Sequence, residues 1–255
     1  MDILALAPAL VIGSLTGFLS GLLGVGGGFI MVPLLILAGT PTNTAIGNSL
    51  AYIIFTGTAG VLQHRRLNNC STRLVLPIAA SGMITAQLGA IATSFVETSI
   101  LELLLALILI AAAWRMTRTP SQQQPPDPDN CTIKTPTSLL IGSAVGFLSG
   151  LIGVGGGFLL TPLMVNTLGI PIHLSIGSSL LAVSAFAVSG TIRHTLMGNI
   201  DPILAVALTA GGVTLAPLGA TATKKCSPKL LRRLLSILLT ALSAQLILSN
   251  TGLLK

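Results

Sequence analysis

Residues 3–63 contain no Asp, Glu, Lys, Arg or His, an uncharged run of 61 positions. One helical crossing of a bilayer takes about 20 apolar residues, so this run holds more than one crossing or a crossing with a turn inside it. Further uncharged runs cover residues 74–96, 135–172, 174–192, 202–223 and 234–254. Only 7% of the chain is charged, against about 25% in an ordinary soluble domain. The expectation is an all-α, polytopic integral membrane protein whose first partner is the lipid bilayer. The first basic group is His64, so the N-terminus lacks the positive start of a cleavable signal and reads as a retained span. A net charge of +7 does not indicate nucleic acid, because the basic residues form short clusters between apolar runs, as membrane loops do.

The chain repeats itself. Residues 12–35 match residues 141–164 at 17 of 24 positions. After a one-residue slip the match continues through Ile46-Gly47 with Ile176-Gly177, Ser49-Leu50 with Ser179-Leu180, and His64 with His194. The expected organisation is a first membrane repeat over 1–116, a polar, Pro-rich linker over 117–136, and a second repeat over 137–255. Each repeat has about four hydrophobic segments: a Gly-interrupted one (5–38; 137–169), then helices near 43–63, 73–93 and 97–115, matched by 173–193, 201–222 and 229–249.

Charge decides between two topologies. If both interrupted segments pass straight through, Lys and Arg divide eight against five between the two faces. If both turn back, the division is eleven against two, with only Arg193 and Lys255 on the far side. Lys and Arg collect in short cytoplasmic loops, which favours turning back and makes the second repeat inverted relative to the first. Inverted repeats with discontinuous helices are a recurrent construction in secondary transporters, with the substrate at the repeat interface.

The interruptions read "GLLGVGGGFI" from Gly21 and "GLIGVGGGFL" from Gly150. Gly13, Gly17 and Gly21 recur every four residues, as do Gly142, Gly146 and Gly150, a spacing that lets helix backbones approach closely. Packing does not account for three consecutive glycines, since each costs a helix about 1 kcal/mol relative to Ala. A helix restarting after such a run exposes its first N–H groups and the positive end of its dipole, which together bind anions. Bare backbone at membrane depth is tolerated only where it lines a cavity or protein. The candidate substrate-binding residues are therefore Ser20, Gly24, Gly26, Gly27 and Gly28, with Ser149, Gly153, Gly155, Gly156 and Gly157. A purely structural turn is the alternative. A dinucleotide loop is set aside because it needs a preceding strand and a downstream acid.

The doubled G-x-x-x-G-F-L-S-G-L-(L/I)-G-V-G-G-G-F, followed by A-I-G-N-S-L (45–50) or S-I-G-S-S-L (175–180), resembles the sulfite exporter TauE/SafE family. The resemblance covers both halves. It implies a multi-pass permease of the cell inner (plasma) membrane, of about eight spans, moving sulfur-containing anions such as sulfite, sulfonates or related organic acids.

The second motif adds Asn48, Ser49, Ser178 and Ser179, polar groups that either bond neighbouring backbone or line a pathway. His64 and His194 hold matching positions at helix ends, where a solvated imidazole is the ordinary case and gating or proton coupling the alternative. Arg193 and Glu102 join them as candidates for gating or proton coupling. Cys70, Cys131 and Cys226 fall in loops and require no disulfide, no metal-ligand spacing appears, and no cofactor motif is present. An enzyme is disfavoured for want of an acid pair, a nucleophile with its base, or a metal cluster. The leading expectation is a secondary transporter of a small anion, with proton coupling as one source of drive and a passive anion channel or a carrier of another small organic acid as alternatives.

Overall fold

The computed structural model describes residues 3–93, 95, 107, 110, 113–114 and 135–250. Regular structure among the described residues is entirely helical. The first half gives α1 (Ile3–Leu23), α2 (Gly28–Leu37), α3 (Thr42–Arg66) and α4 (Thr72–Ala92); the second gives α5 (Thr135–Ile152), α6 (Gly157–Thr167), α7 (Ile172–Leu196), α8 (Pro202–Lys225) and α9 (Pro228–Asn250). Each interrupted segment is thus a long helix, a glycine turn and a short helix. Most of the expected helix over 97–115 and most of the linker over 117–136 lie outside the described residues.

Five of these helices, α3, α4, α5, α7 and α8, are long and apolar enough to cross a membrane. The short α2 and α6 have 10 and 11 residues, or about 15 Å at 1.5 Å per residue. That is half the thickness of a hydrocarbon core.

The halves are interlocked. The first helix of each lies along the last long helix of the other, α1 on α8 and α5 on α4. A Cβ at Gly13, Gly17 or Gly21 would overlap the backbone of Leu208, Gly212 or Ala216, and one at Gly142, Gly146 or Gly150 that of Ile78, Gly82 or Ala86. The small-residue spacing is therefore used for backbone contact between halves. Residue numbers climb together along both contacts, so each pair is parallel.

At the centre, α3 crosses α7. A Cβ at Gly60 would sit 2.6 Å from Leu180 Cδ2, and one at Gly190 would sit 3.0 Å from Leu50 Cδ1. Numbers run in opposite senses here, so these equivalent helices are antiparallel, as they must be if one half is inverted. Along α1 and α3 they run together again. Tyr52 donates to the Gly13 carbonyl at 2.8 Å and His64 Nε2 lies 2.8 Å from the Gly21 carbonyl. Because α1 and α3 point the same way, the intervening α2 returns toward the side from which α1 set out.

This arrangement sorts the charges. Thr223, beside Lys224 and Lys225, donates to the Leu22 carbonyl at 3.1 Å, and Gln63, beside His64 and Arg65, donates to Thr221 at 3.1 Å. The basic ends of α3 and α8 therefore share one end of the bundle. Arg193, at the finish of α7, belongs to the other.

Candidate functional site

The two glycine turns are built alike. Gly24 N–H donates to the Ser20 carbonyl at 2.9 Å and Gly153 N–H to Ser149 at 2.9 Å, closing the long helix in each half. Gly24, Gly26 and Gly27 then take φ of 70°, 84° and 76°, and Gly153, Gly155 and Gly156 take 72°, 77° and 72°. Gly27 and Gly156 immediately precede the short helices, at left-handed angles that cost an L-residue about 1–2 kcal/mol. Their carbonyls accept the first helical bonds, from Met31 at 3.2 Å and Leu160 at 2.9 Å.

Bare donors result. Among the described residues, the N–H groups of Val25, Gly26, Gly27, Gly28 and Phe29 donate to nothing, and neither do those of Val154, Gly155, Gly156, Gly157 and Phe158. All ten residues are buried. The hydroxyls of Ser20 and Ser149 are also buried without a partner. A Cβ on Gly27 would stand 3.4 Å from Ser20 Cβ, and one on Gly156 would stand 3.5 Å from Ser149 Cβ. Each unused hydroxyl thus adjoins its own row of unused amides.

The two rows meet. A Cβ at Gly28 would lie 3.1 Å from the Val154 carbonyl, and one at Gly157 would lie 2.7 Å from the Gly24 carbonyl. Phe29 and Phe158, the residues following the glycine runs, have ring centroids 6.2 Å apart. Two helix N-termini therefore approach one another, each carrying about half a positive charge. Asp201 is the one acid among the described residues, and it caps α8 by accepting from Ile203 and Leu204 N–H. Within this described shell no carboxylate offsets the meeting of positive ends.

Serines from the second motif fasten the turns crosswise. Ser49 on α3 donates to the Gly153 carbonyl at 3.0 Å, and Ser179 on α7 donates to the Gly24 carbonyl at 2.9 Å. Each turn is thus held by the other half.

A model of the family described as "Sulfite exporter TauE/SafE" matches residues 9–246, a span that contains both turns and all or most of each long helix. The chain belongs to the sulfite exporter TauE/SafE family. It is a family of membrane transporters, not of enzymes. The chain is 30% identical to the "Probable membrane transporter protein YdhB" of Bacillus subtilis (strain 168), over 92% of this chain and 96% of the relative. It is 29% identical to a "Probable membrane transporter protein" of Xylella fastidiosa (strain 9a5c), over 97% of both chains. It is 26% identical to "Probable membrane transporter protein MJ0441" of Methanocaldococcus jannaschii, over 93% and 94%. No solved structure matches significantly.

Other residues singled out in this TauE/SafE chain fall in several environments. Asn48 is fully buried; its Nδ2 donates to the Thr44 carbonyl at 3.0 Å and its Oδ1 has no partner. It therefore offers an acceptor, which suits a proton-bearing group and not a bare anion. Ser178 accepts from Ser71 N–H at 3.0 Å, tying α7 to the start of α4. His64 and His194 are fully buried, so the ordinary expectation of solvated imidazoles is not met. The end of α1 packs over the end of α3, and His64 holds the Gly21 carbonyl there. His194 Nδ1 lies 3.3 Å from Asn199 Nδ2, while its buried Nε2 faces the Gly150 carbonyl, as His64 faces Gly21, without the geometry of a full hydrogen bond. Arg193 is half-buried, and its Nε has no partner. Glu102 lies outside the described residues.

Three groups near the turns were not singled out by motif: Thr16, Tyr52 and Thr161. Thr16 and Tyr52 share a 2.9 Å hydrogen bond behind Gly27, and Thr161 and Ser179 share one of 2.8 Å. The available signal was the places where the repeats differ: Val145 answers to Thr16, Ala182 to Tyr52 and Val32 to Thr161.

Proposed function

We propose that this protein is a secondary carrier of small anions, sulfur-containing ones such as sulfite or organosulfonates first among them, bound by backbone amides of its two glycine turns. The observation that carries this reading is the set of unpaired N–H groups with the unpaired hydroxyls of Ser20 and Ser149 beside them. A buried donor left without a partner costs about 1–3 kcal/mol, and an anion would satisfy several at once with charge-assisted bonds. Two converging helix N-termini supply the field.

In this reading the chain comprises two inverted repeats, over 1–116 and 137–255, joined by the 117–136 linker, and α2 and α6 are the returning arms of re-entrant hairpins. Antiparallel α3 and α7, and basic ends of α3 and α8 at one end of the bundle, support it. That basic end is cytoplasmic, in a cell inner membrane. Burial of both turns favours a carrier over an open channel: a substrate reaches a closed site only if the halves move. Ser49 and Ser179 position the turns. His64 and His194 are candidates for carrying a coupled proton.

Purified protein tested by thermal shift with sulfite, thiosulfate, methanesulfonate and small carboxylates reads out binding. Counterflow in proteoliposomes then separates carrier from channel, since only a carrier exchanges label against a gradient. Stabilisation by none of these anions would overturn the proposal.

A further inference from the structure

The two turns share a backbone, and their surroundings differ. Behind Gly27 stand the Thr16 carbonyl, where a Cβ would lie 2.9 Å away, and the Tyr52 ring at 3.2 Å. Tyr52 hydroxyl bonds both Thr16 and the Gly13 carbonyl. The Gly24 carbonyl is held by Ser179, which Thr161 backs in turn. Thr16, Ser20, Tyr52, Thr161 and Ser179 are all buried, so five hydroxyls gather at the first turn.

At the second turn three of these five places are apolar, while Ser149 and Ser49 keep the hydroxyls of Ser20 and Ser179. A Cβ on Gly156 would meet Val145 Cγ1 at 2.6 Å. Ala182 holds the position of Tyr52, and the missing ring is supplied one turn later by Phe186, which packs at Gly82 as Tyr52 packs at Gly212. Volume is kept and polarity is not. Ser49 holds the Gly153 carbonyl without a second hydroxyl behind it, since Val32 replaces Thr161.

Burying a charge is far costlier against apolar groups than among dipoles that solvate it, whereas an alkyl group is better buried against Val and Phe. We propose that the turns are chemically unequal. The amides of both turns hold the charged group of the substrate, which sits toward the first, backed by Thr16 and Tyr52, and its uncharged end lies toward the second, backed by Val145. The substrate class is then an organic anion with one charged head and a short apolar tail. Inorganic sulfite is a poorer fit. This rests on the amide-site reading above and adds direction to it.

The test compares Ser20→Ala with Ser149→Ala. Both remove a hydroxyl that has no partner, so neither costs the fold a hydrogen bond. Half-saturating concentrations for thermal stabilisation are measured with methanesulfonate and propane-1-sulfonate. Ser20→Ala is expected to weaken both by tenfold or more, Ser149→Ala to weaken both by a smaller factor of about threefold, and the unaltered protein to bind propane-1-sulfonate the more tightly. Val145→Thr, of nearly the same shape, should abolish the preference for the longer tail while leaving methanesulfonate within about twofold. Equal losses from the two serine variants would overturn the inequality and leave the amide site standing, as would binding that is indifferent to tail length. Absence of binding by the unaltered protein would overturn both readings.

Discussion

Ser179 donates a 2.9 Å hydrogen bond to the carbonyl of Gly24, a residue 155 positions earlier in the chain and in the other half of the molecule. Ser49 repays it at Gly153, at 3.0 Å. A turn of consecutive glycines has little of its own to hold it in place, since glycine surrenders more backbone freedom on folding than any other residue. These crosswise bonds supply the restraint. Ser49→Ala leaves the buried Gly153 carbonyl unpartnered, and the expected loss is about 1–3 kcal/mol. Ser179→Ala should cost a similar amount. Both are read as a lowered thermal midpoint in detergent, and an unchanged midpoint in both would show that the turns are held by packing alone.

The unpartnered hydroxyls predict the opposite sign. Ser20 and Ser149 contribute buried oxygens that bond nothing, so Ser20→Ala and Ser149→Ala should leave the anion-free protein as stable as before or stabilise it by up to about 1 kcal/mol. A destabilisation above that figure would mean that these hydroxyls have structural partners.

Interlocking by glycine predicts intolerance to side chains. At Gly17 a Cβ would overlap Gly212 backbone, and at Gly146 that of Gly82. Because the neighbour is backbone and cannot swing aside, Gly17→Val and Gly146→Val should each cost more than the 1–3 kcal/mol typical of overpacking. The measurement is the yield of monodisperse protein together with its thermal midpoint.

Cysteine chemistry reports sidedness. Cys70 follows α3 and Cys226 follows α8, so a membrane-impermeant maleimide should reach both from the same side, the one bearing Arg65, Arg66, Lys224 and Lys225. Burial pushes the Cys70 thiol above its ordinary pKa, and the nearby Arg65 charge offsets this in part. A raised pKa leaves less thiolate at neutral pH, so Cys70 should label more slowly than an exposed thiol and accelerate as pH rises above the usual thiol range. Labelling of the two cysteines from opposite sides would contradict the inverted arrangement.

Most of the fold is legible in the sequence. The uncharged runs locate the helices to within a few residues: the segments expected over 173–193 and 201–222 are Ile172–Leu196 and Pro202–Lys225. The helix expected to restart after the glycine run restarts at Gly28, the last glycine of that run. These features are local, set by the absence of charge and by what glycine backbone permits. The pairing of Ser179 with Gly24 is not local. It exists only because antiparallel α3 and α7 carry each half's serine into the other's turn, and no spacing within one repeat reveals it. Burial of His64 and His194 escaped for a related reason, since a helix end is taken as solvated until another helix is known to cover it. Thr16 and Tyr52 were hidden by the duplication itself: the repeats share the backbone of the turn, whereas the chemistry of the first turn lies in how they differ.

The most direct measurement of the central claim is anion binding by the unaltered protein beside Gly26→Ala and Gly155→Ala. At these two positions the atoms nearest an added Cβ are side-chain ends of Val183 and Ile53, which can shift, and φ of 84° and 77° strains an Ala by about 1–2 kcal/mol, so the variants displace the amides and are compared once a cooperative thermal transition shows that they fold. At a ligand concentration of a hundred times Kd, binding stabilises by about 2.7 kcal/mol. The account predicts that alkanesulfonates raise the thermal midpoint of the unaltered protein and that this rise is largely lost in both variants. An undiminished rise in both folded variants would contradict it.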